Sequence, residues 1–464
     1  MINRTHNAML FRIILVLCAV GFYIVVMRFD EINILSEQSY IIGLFLTGFF
    51  VLAGAIVAAQ APPPAKFGSA PSIRREVARD GLVTYVFALA MVAGLMALRG
   101  TLLYYLSGDY AAHLSQWVAG VRGLTVRQGL SVNVGNYNMP YMYLIFLISR
   151  FEFPGMFLIK FASIFFDIIL AYFVMKIVSL KTESRNFRIA AFLGALAIPT
   201  VVINSAMWAQ SDAIYAAFTM GAIYFALAEK SKLAYLFLAL GFAFKMQAMF
   251  VAPLFVVFIL KQKIWLRDIW IFPVAFLATL LPAVTAGMPI RDALATYSNQ
   301  FDYYNMLNMN ATSIWRLVGW VDQDQFIAAG LFVAGVAVAG LLYFVYVYRK
   351  RITETKDYVN LAYIFAAMMP FLLPKMHDRF LFLADVLSIL VFAFNKKRWF
   401  VPLITIYASY NTYVWFLMSQ ITLIDYVYVS LALGVTILIV LKDFVEKVRE
   451  EKSDPPMKKE DFLS

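Results

Sequence analysis

Residues 155–180 read GMFLIKFASIFFDIILAYFVMKIVSL. A helix rises about 1.5 Å per residue, so roughly 20 apolar residues cross a hydrocarbon core of about 30 Å. The run is long enough for that, and it lacks the period-two alternation of a barrel strand. It predicts a membrane-crossing helix. Lys176 lies near its end, and Lys160 and Asp167, two turns apart within it, read as a structural polar seam.

Runs of the same kind recur along the chain. Over 464 residues, 62% hydrophobic and 14% charged with a mean hydropathy of +0.76 is far from soluble usage and makes membrane insertion the expectation. The predicted spans are 10–27, 40–60, 82–106, 155–180, 189–207, 212–228, 233–247, 248–260, 269–286, 326–347, 358–374, 380–394, 399–418 and 426–441. The fold class is therefore all-α, a polytopic bundle of about 13 to 14 transmembrane helices. The pair 233–247 and 248–260 is short enough to be one hairpin of broken helices.

A net charge of +11 could suggest nucleic acid, but the basic residues fall in short clusters between apolar runs. These include Lys181, Arg185 and Arg188, then Lys261, Lys263 and Arg267, then Arg349 to Arg351, then Lys396 to Arg398. That is the positive-inside pattern, which puts both termini on the cytoplasmic side and excludes a nucleic-acid partner. Cys18 is the only cysteine, so no intrachain disulfide is possible.

The stretch 1–60 reads as an accessory hairpin, 61–81 as a cytoplasmic linker, 82–287 as the core module, 326–441 as the C-terminal helices and 442–464 as a disordered cytoplasmic tail. Two long outer loops remain, 107–154 and 288–325. Within the first, NMPYMYLIFLISR (138–150) is too short to span and is expected to lie flat as an interfacial helix.

With this threading, the unusual polar residues share one side. Asp109, Tyr110 and His113 open the first outer loop; Trp208, Gln210 and Asp212 lie in the turn SAMWAQSDAIYAAF (205–218). Lys245 and Gln247 interrupt GFAFKMQAMF, and Lys375, His377, Asp378 and Arg379 form the turn in LLPKMHDRFLF. Buried ionisable groups cost about 2.5 to 3.5 kcal/mol at mid-helix, so a shared watery cavity is the expected destination. Lys245, Lys375, His377 and Arg379 suit a phosphate or diphosphate, and Asp109 suits a general base.

Each has a plainer reading. Asp212 could cap the helix that begins there, Lys245 could snorkel or pair with Asp167, and the basic turn could be a solvated loop. Asp109 and His113 could share a metal, so a divalent cation near Asp109 stays open. Trp315 and Trp320 read as interfacial belt residues or a sugar-stacking surface. Asn310-Ala-Thr312 matches a glycosylation sequon.

Taken in order, SGDYAAHLSQW, NYNMPYMYL (with Tyr137), WAQSDAIY, FKMQAMF, NMNATSIW and the HDR turn resemble the GT-C superfamily of membrane glycosyltransferases over residues 82 to 395. The likeness is to enzymes that use dolichyl-phosphate-glucose or dolichyl-phosphate-mannose. It implies that Asp109 activates an acceptor hydroxyl, that Gln210 and Asp212 flank the cleft, that Lys245 and Gln247 face the donor, and that His377 and Arg379 hold its phosphate. Ala209 departs from a Gly common in that family, and Asn138 and Met139 from a doubled Pro before Pro140. The implied partners are a lipid-linked sugar donor, a glycan or lipid-linked acceptor and membrane lipid. The implied place is an extracytoplasmic site, in a bacterial plasma membrane rather than an endoplasmic reticulum. No soluble stretch offers a glycine-rich nucleotide cradle. A transporter of lipid-linked saccharides is the main alternative, though no repeat of the kind such proteins use is detected; a scaffold subunit is a third.

Overall fold

The computed structural model describes residues 71–450 apart from 303–305, 319–322 and 419–423. The spans 10–27 and 40–60 and the residues after 450 lie outside the described residues, as does Trp320. The described chain is helical almost throughout. Its helices are α1 (Pro71–Leu102), α2 (Ser115–Val121), α3 (Val126–Ser131), α4 (Met139–Ile148), α5 (Gly155–Ser179), α6 (Arg185–Leu196), α7 (Pro199–Val202), α8 (Asp212–Leu227) and α9 (Ser231–Phe244). They continue with α10 (Ala252–Leu260), α11 (Ile271–Ala286), α12 (Ile290–Asp302), α13 (Trp315–Val318), α14 (Gln323–Tyr348), α15 (Thr355–Leu372), α16 (Phe382–Phe394), α17 (Phe400–Leu417) and α18 (Tyr426–Glu450). Two short strands, β1 (Asn308–Met309) and β2 (Met376–His377), pair in parallel.

Every predicted span within the described residues is helical, but not every one is long enough to cross. Five are long and apolar enough: Thr84–Leu102, Gly155–Ser179, Leu266–Ala286, Phe326–Arg351 and Tyr426–Glu450. A sixth is obtained if α6 and the stretch Pro199–Met207, bent by 52°, form one span. Pro199 has no amide hydrogen to continue α6, which explains the bend. α8, α9, α10 and α16 are shorter because they end where the chain turns into the site. Two boundaries also move: α1 begins at Pro71, inside the stretch expected to be a linker, and α18 runs to Glu450, inside the expected disordered tail.

α4 overturns the expectation of an interfacial helix. Met139, Met142 and Ile145 are almost fully buried, and the helix packs with Trp117, Val118 and Leu280 in a second apolar core beside the main one. It is apolar on nearly every face, and protein covers most of it, with Leu147 left exposed. Gly135, just before it, lets the Trp117 ring lie 2.5 Å from where a Cβ would stand.

The basic clusters gather at one end of the bundle, far from the polar turns. There they satisfy the carbonyl ends of helices, which carry partial negative charge. Lys181 Nζ donates to Ala393 O (2.9 Å) and Phe394 O (3.1 Å), and Lys261 Nζ to Arg349 O (2.7 Å). Arg351 Nη1 donates to Arg449 O (2.8 Å), and Lys447 Nζ reaches Asp357 Oδ2 (2.7 Å). α9 and α10 form a hairpin whose base is tied at this end, by Lys263 to Glu229 and by Trp265 N to Ser231 Oγ (2.9 Å). Its apex lies at the other end.

Candidate functional site

The segment between α7 and α8 is built around a π-turn, Ile203–Met207, closed by Trp208 N to Ile203 O (2.8 Å). Ala209 then takes a left-handed conformation, φ 65°, which costs a residue with a Cβ about 1–2 kcal/mol. The result of that strained turn is convergence. Trp208 Nε1 (2.9 Å) and Gln210 Nε2 (2.6 Å) both donate to Asp109 Oδ2, across about a hundred residues of sequence. Trp208 is fully buried, stacked on Phe416 and edge-on to Tyr413, and its carbonyl accepts from Ser107 Oγ (2.8 Å). Oδ1 of Asp109 has no partner among the described residues, and the side chain is 24% exposed.

Asp212 opens α8, yet its carboxylate does not cap that helix: Ser211 holds the cap position, without a side-chain bond. One oxygen pairs with Lys245 Nζ, and the other accepts from Asn204 Nδ2 (2.8 Å). Lys245 reaches it because α9 ends at Phe244 and Lys245 is extended, φ −157°, before a tight 3-10 turn carrying Gln247. The hairpin apex thus aims at the π-turn. Lys245 does not pair with Asp167. That carboxylate takes Arg99, and Lys160 binds backbone carbonyls instead, so the seam expected on α5 splits between two partners. Tyr137 stitches the first loop to the turn, its hydroxyl donating to Gln210 Oε1 (3.3 Å).

The Lys375–Arg379 turn is clamped from below. β2 lies against β1, Asp378 N donates to Met309 O (3.1 Å), and Thr412 Oγ1 donates to Asp378 O (3.0 Å). Arg379 then lies with Nη1 3.9 Å from Asp109 Oδ2, Nε 3.5 Å from Asp378 Oδ1, and its guanidinium 5.1 Å over the Trp208 ring. Nε and Nη1 are buried with no hydrogen-bond acceptor. Buried guanidinium donors left unmade are costly, and that calls for an anion. Burial, aided by Arg379 and Lys245, pushes His377 down to about 3, so it is neutral near pH 7 and is not the cation expected. Burial, against the pull of Arg379, pushes Asp378 up to about 7.

These groups open onto a cavity of about 540 Å³. Tyr137, Lys245, Gln247, Lys375, His377 and Arg379 are among its polar lining residues, and Phe242, Phe250, Leu331 and Leu373 are among its apolar walls. Asp109, Trp208, Gln210 and Asp212 stand behind that wall, tied to it by the contacts above. Four distant stretches therefore meet at one end of one cavity.

Two expected members do not join. His113 is exposed, its ring 6.4 Å from that of Trp117, and Tyr110 turns toward the backbone of Met156. Among the described residues no three His, Cys, Asp or Glu side chains group as metal ligands. Trp315 is buried, donating to Leu372 O (3.0 Å) and Leu373 O (3.1 Å), so it is neither a belt residue nor a sugar platform. In the sequon, Thr312 is fully buried and donates to Ala408 O (3.0 Å), while Asn310 is half-buried. Nothing in the residue pattern marks Asn204, or Gln300, whose Nε2 donates to Asn138 Oδ1 (2.8 Å) and steadies the loop beside Tyr137. No protein-family model matches this chain, and no curated protein matches it.

Proposed function

We propose that the protein is a membrane glycosyltransferase of the GT-C kind, moving a hexose from a polyprenyl-phosphate donor to a hydroxyl of a lipid-linked or cell-surface glycan. The observation that carries this is the approach of a carboxylate to a cation that lines an apolar cavity. The Asp109 carboxylate lies 3.9 Å from a buried guanidinium, Arg379, whose Nε and Nη1 lack hydrogen-bond acceptors. A greasy tail with an anionic head fits such a lining, and a water-soluble nucleotide sugar does not.

In the reaction, Asp109 Oδ1 takes the proton of the acceptor hydroxyl as its oxygen bonds the anomeric carbon. The bond from that carbon to the phosphate oxygen breaks, and its electron pair leaves with the phosphate. Arg379 and Lys245 offset the charge growing there, and neutral His377 donates or accepts a hydrogen bond without adding charge. A single displacement inverts the anomeric centre. In this reading the site opens on the extracytoplasmic side of a bacterial plasma membrane, with both termini cytoplasmic.

The test is transfer by purified protein from a short-chain polyprenyl-phosphate hexose, with product read by mass spectrometry. In Arg379→Ala the donor is expected to bind about 2–5 kcal/mol more weakly, with the fold retained. Normal donor affinity in that variant would remove Arg379 from the phosphate site. Absence of transfer from every hexose donor would reject the reading and leave a transporter of lipid-linked saccharides as its rival.

Asp378 adds a pH dependence. Below about 7 it holds its proton and leaves Arg379 its full charge; above that it ionises 3.5 Å away and competes for the guanidinium. Donor kcat/KM is thus expected to fall as pH rises through about 7, and Asp378→Asn to flatten the profile. An unchanged profile in the Asn variant would refute the assignment. Stability is a poorer readout. His377 contributes fully above 6.5 and loses its contribution as pH falls toward 3, whereas the cost of ionising Asp378 appears as pH rises from 3.8 to 7, so the two slopes oppose.

A further inference from the structure

α5 presents Lys160, Ser163 and Asp167 on one face, at spacings of three and four residues. Each takes hold of a different part of the site. Lys160 Nζ donates to Leu103 O and Tyr105 O, both at 2.7 Å, and more weakly to Leu102 O (3.4 Å). Ser163 Oγ donates to the Gln210 carbonyl (2.6 Å). Asp167 Oδ2 accepts from Ser205 Oγ (2.6 Å) in the π-turn and from Arg99 Nη2 (3.0 Å).

Lys160 is the unusual member. It is fully buried and makes no ion pair among the described residues. An ammonium withdrawn from water costs several kcal/mol unless compensated, and here the compensation is the carbonyl end of α1, the negative pole of that helix. A Met would fill the same volume without that cost. The chain leaves this clamp at Tyr105 and reaches Asp109 four residues later, with one further tether between them, Ser107 Oγ to Trp208 O (2.8 Å). On the other side Ser163 fixes the backbone of Gln210, whose side chain donates to Asp109.

We propose that the polar stripe on α5 is a positioning device for Asp109: Lys160 sets the height of the carboxylate loop and Ser163 sets the turn that grips it, both from one rigid helix. Its catalytic consequence rests on the reading given under Proposed function. Small misplacements of a reacting group cost large factors in rate, about 10²-fold for 1 Å. Lys160 is therefore a positioning residue for the base, with no contact to substrate.

The experiment has two arms. A nitroxide is placed at Gly108→Cys in a Cys18→Ser background; position 108 is exposed, with nothing within 4 Å of an added Cβ. Lys160→Met is expected to mobilise the label, whereas Lys181→Met, which removes a similar ammonium-to-carbonyl clamp at the opposite end, leaves the spectrum unchanged. In the kinetic arm Lys160→Met lowers kcat about 10- to 100-fold with donor KM held within about twofold. It adds no further loss in an Asp109→Asn background, because it acts through that carboxylate. An immobile label, an unchanged kcat, additive losses, or an equal kcat loss in Lys181→Met would each overturn the proposal. If Lys160→Met does not fold, Ser163→Ala, which deletes one hydroxyl, is read in the same two ways. If the unmutated protein transfers no sugar, the function fails while the label still decides whether α5 fixes the loop.

Discussion

Asp109→Asn is expected to lower kcat by about 10²- to 10⁴-fold, the usual worth of a positioned general base. The substitution is well matched to the geometry. Trp208 and Gln210 both donate to Oδ2, so the amide carbonyl can take that place and keep the loop where it is. The amide nitrogen then stands at the Oδ1 position, where it cannot accept a proton. Donor affinity should change little, since the nearest cation, Arg379, approaches Oδ2 at 3.9 Å without a hydrogen bond. The check is steady-state transfer with folding monitored in parallel. Undiminished kcat in the Asn variant would remove Asp109 from proton transfer.

Asp167→Leu is the second large effect, this one on stability. Asp167 and Arg99 have no exposed side-chain surface, and Asp167 receives Arg99 through Nε (3.1 Å) and Nη2 (3.0 Å) together with the Ser205 hydroxyl. Removing the acid strands a guanidinium among helices, which costs about 3–5 kcal/mol, whereas replacing both partners by apolar residues of similar volume is often neutral. Asp167→Leu should thus unfold at markedly lower denaturant or temperature, and the double variant Arg99→Met with Asp167→Leu should recover most of the loss. A double variant as unstable as the single would show that the pair itself, rather than the uncompensated charge, carries the energy.

Much of the site was legible because charge is conspicuous in an apolar chain. Asp109, Lys245, Arg379 and the 208–212 turn stand out from their surroundings, and clustering the basic residues at one end leaves them together at the other. Partner choice was not legible. Asp212 looks locally like a helix cap, and Lys245 wins it from 33 residues away; Asp167 reads as part of a polar seam on its own helix, and Arg99 takes it from 68 residues away. Such pairings follow from tertiary approach, which leaves no periodic trace. Segment 138–150 failed for a related reason. Its length excludes a crossing, but length cannot say whether lipid or protein covers a short apolar helix. The state of His377 depends on burial and on two neighbouring cations that only the fold assembles.

The π-turn at Ile203–Met207 has a consequence for how this chain can change over time. A regular helix advances about 100° per residue, and the wider turn absorbs one extra residue, delaying the phase of all that follows. Losing a single residue there would swing the indole of Trp208 and the amide of Gln210 by roughly that angle, away from the carboxylate they hold. Insertions and deletions at that point are rotations of the whole grip, so its length is fixed as firmly as its composition.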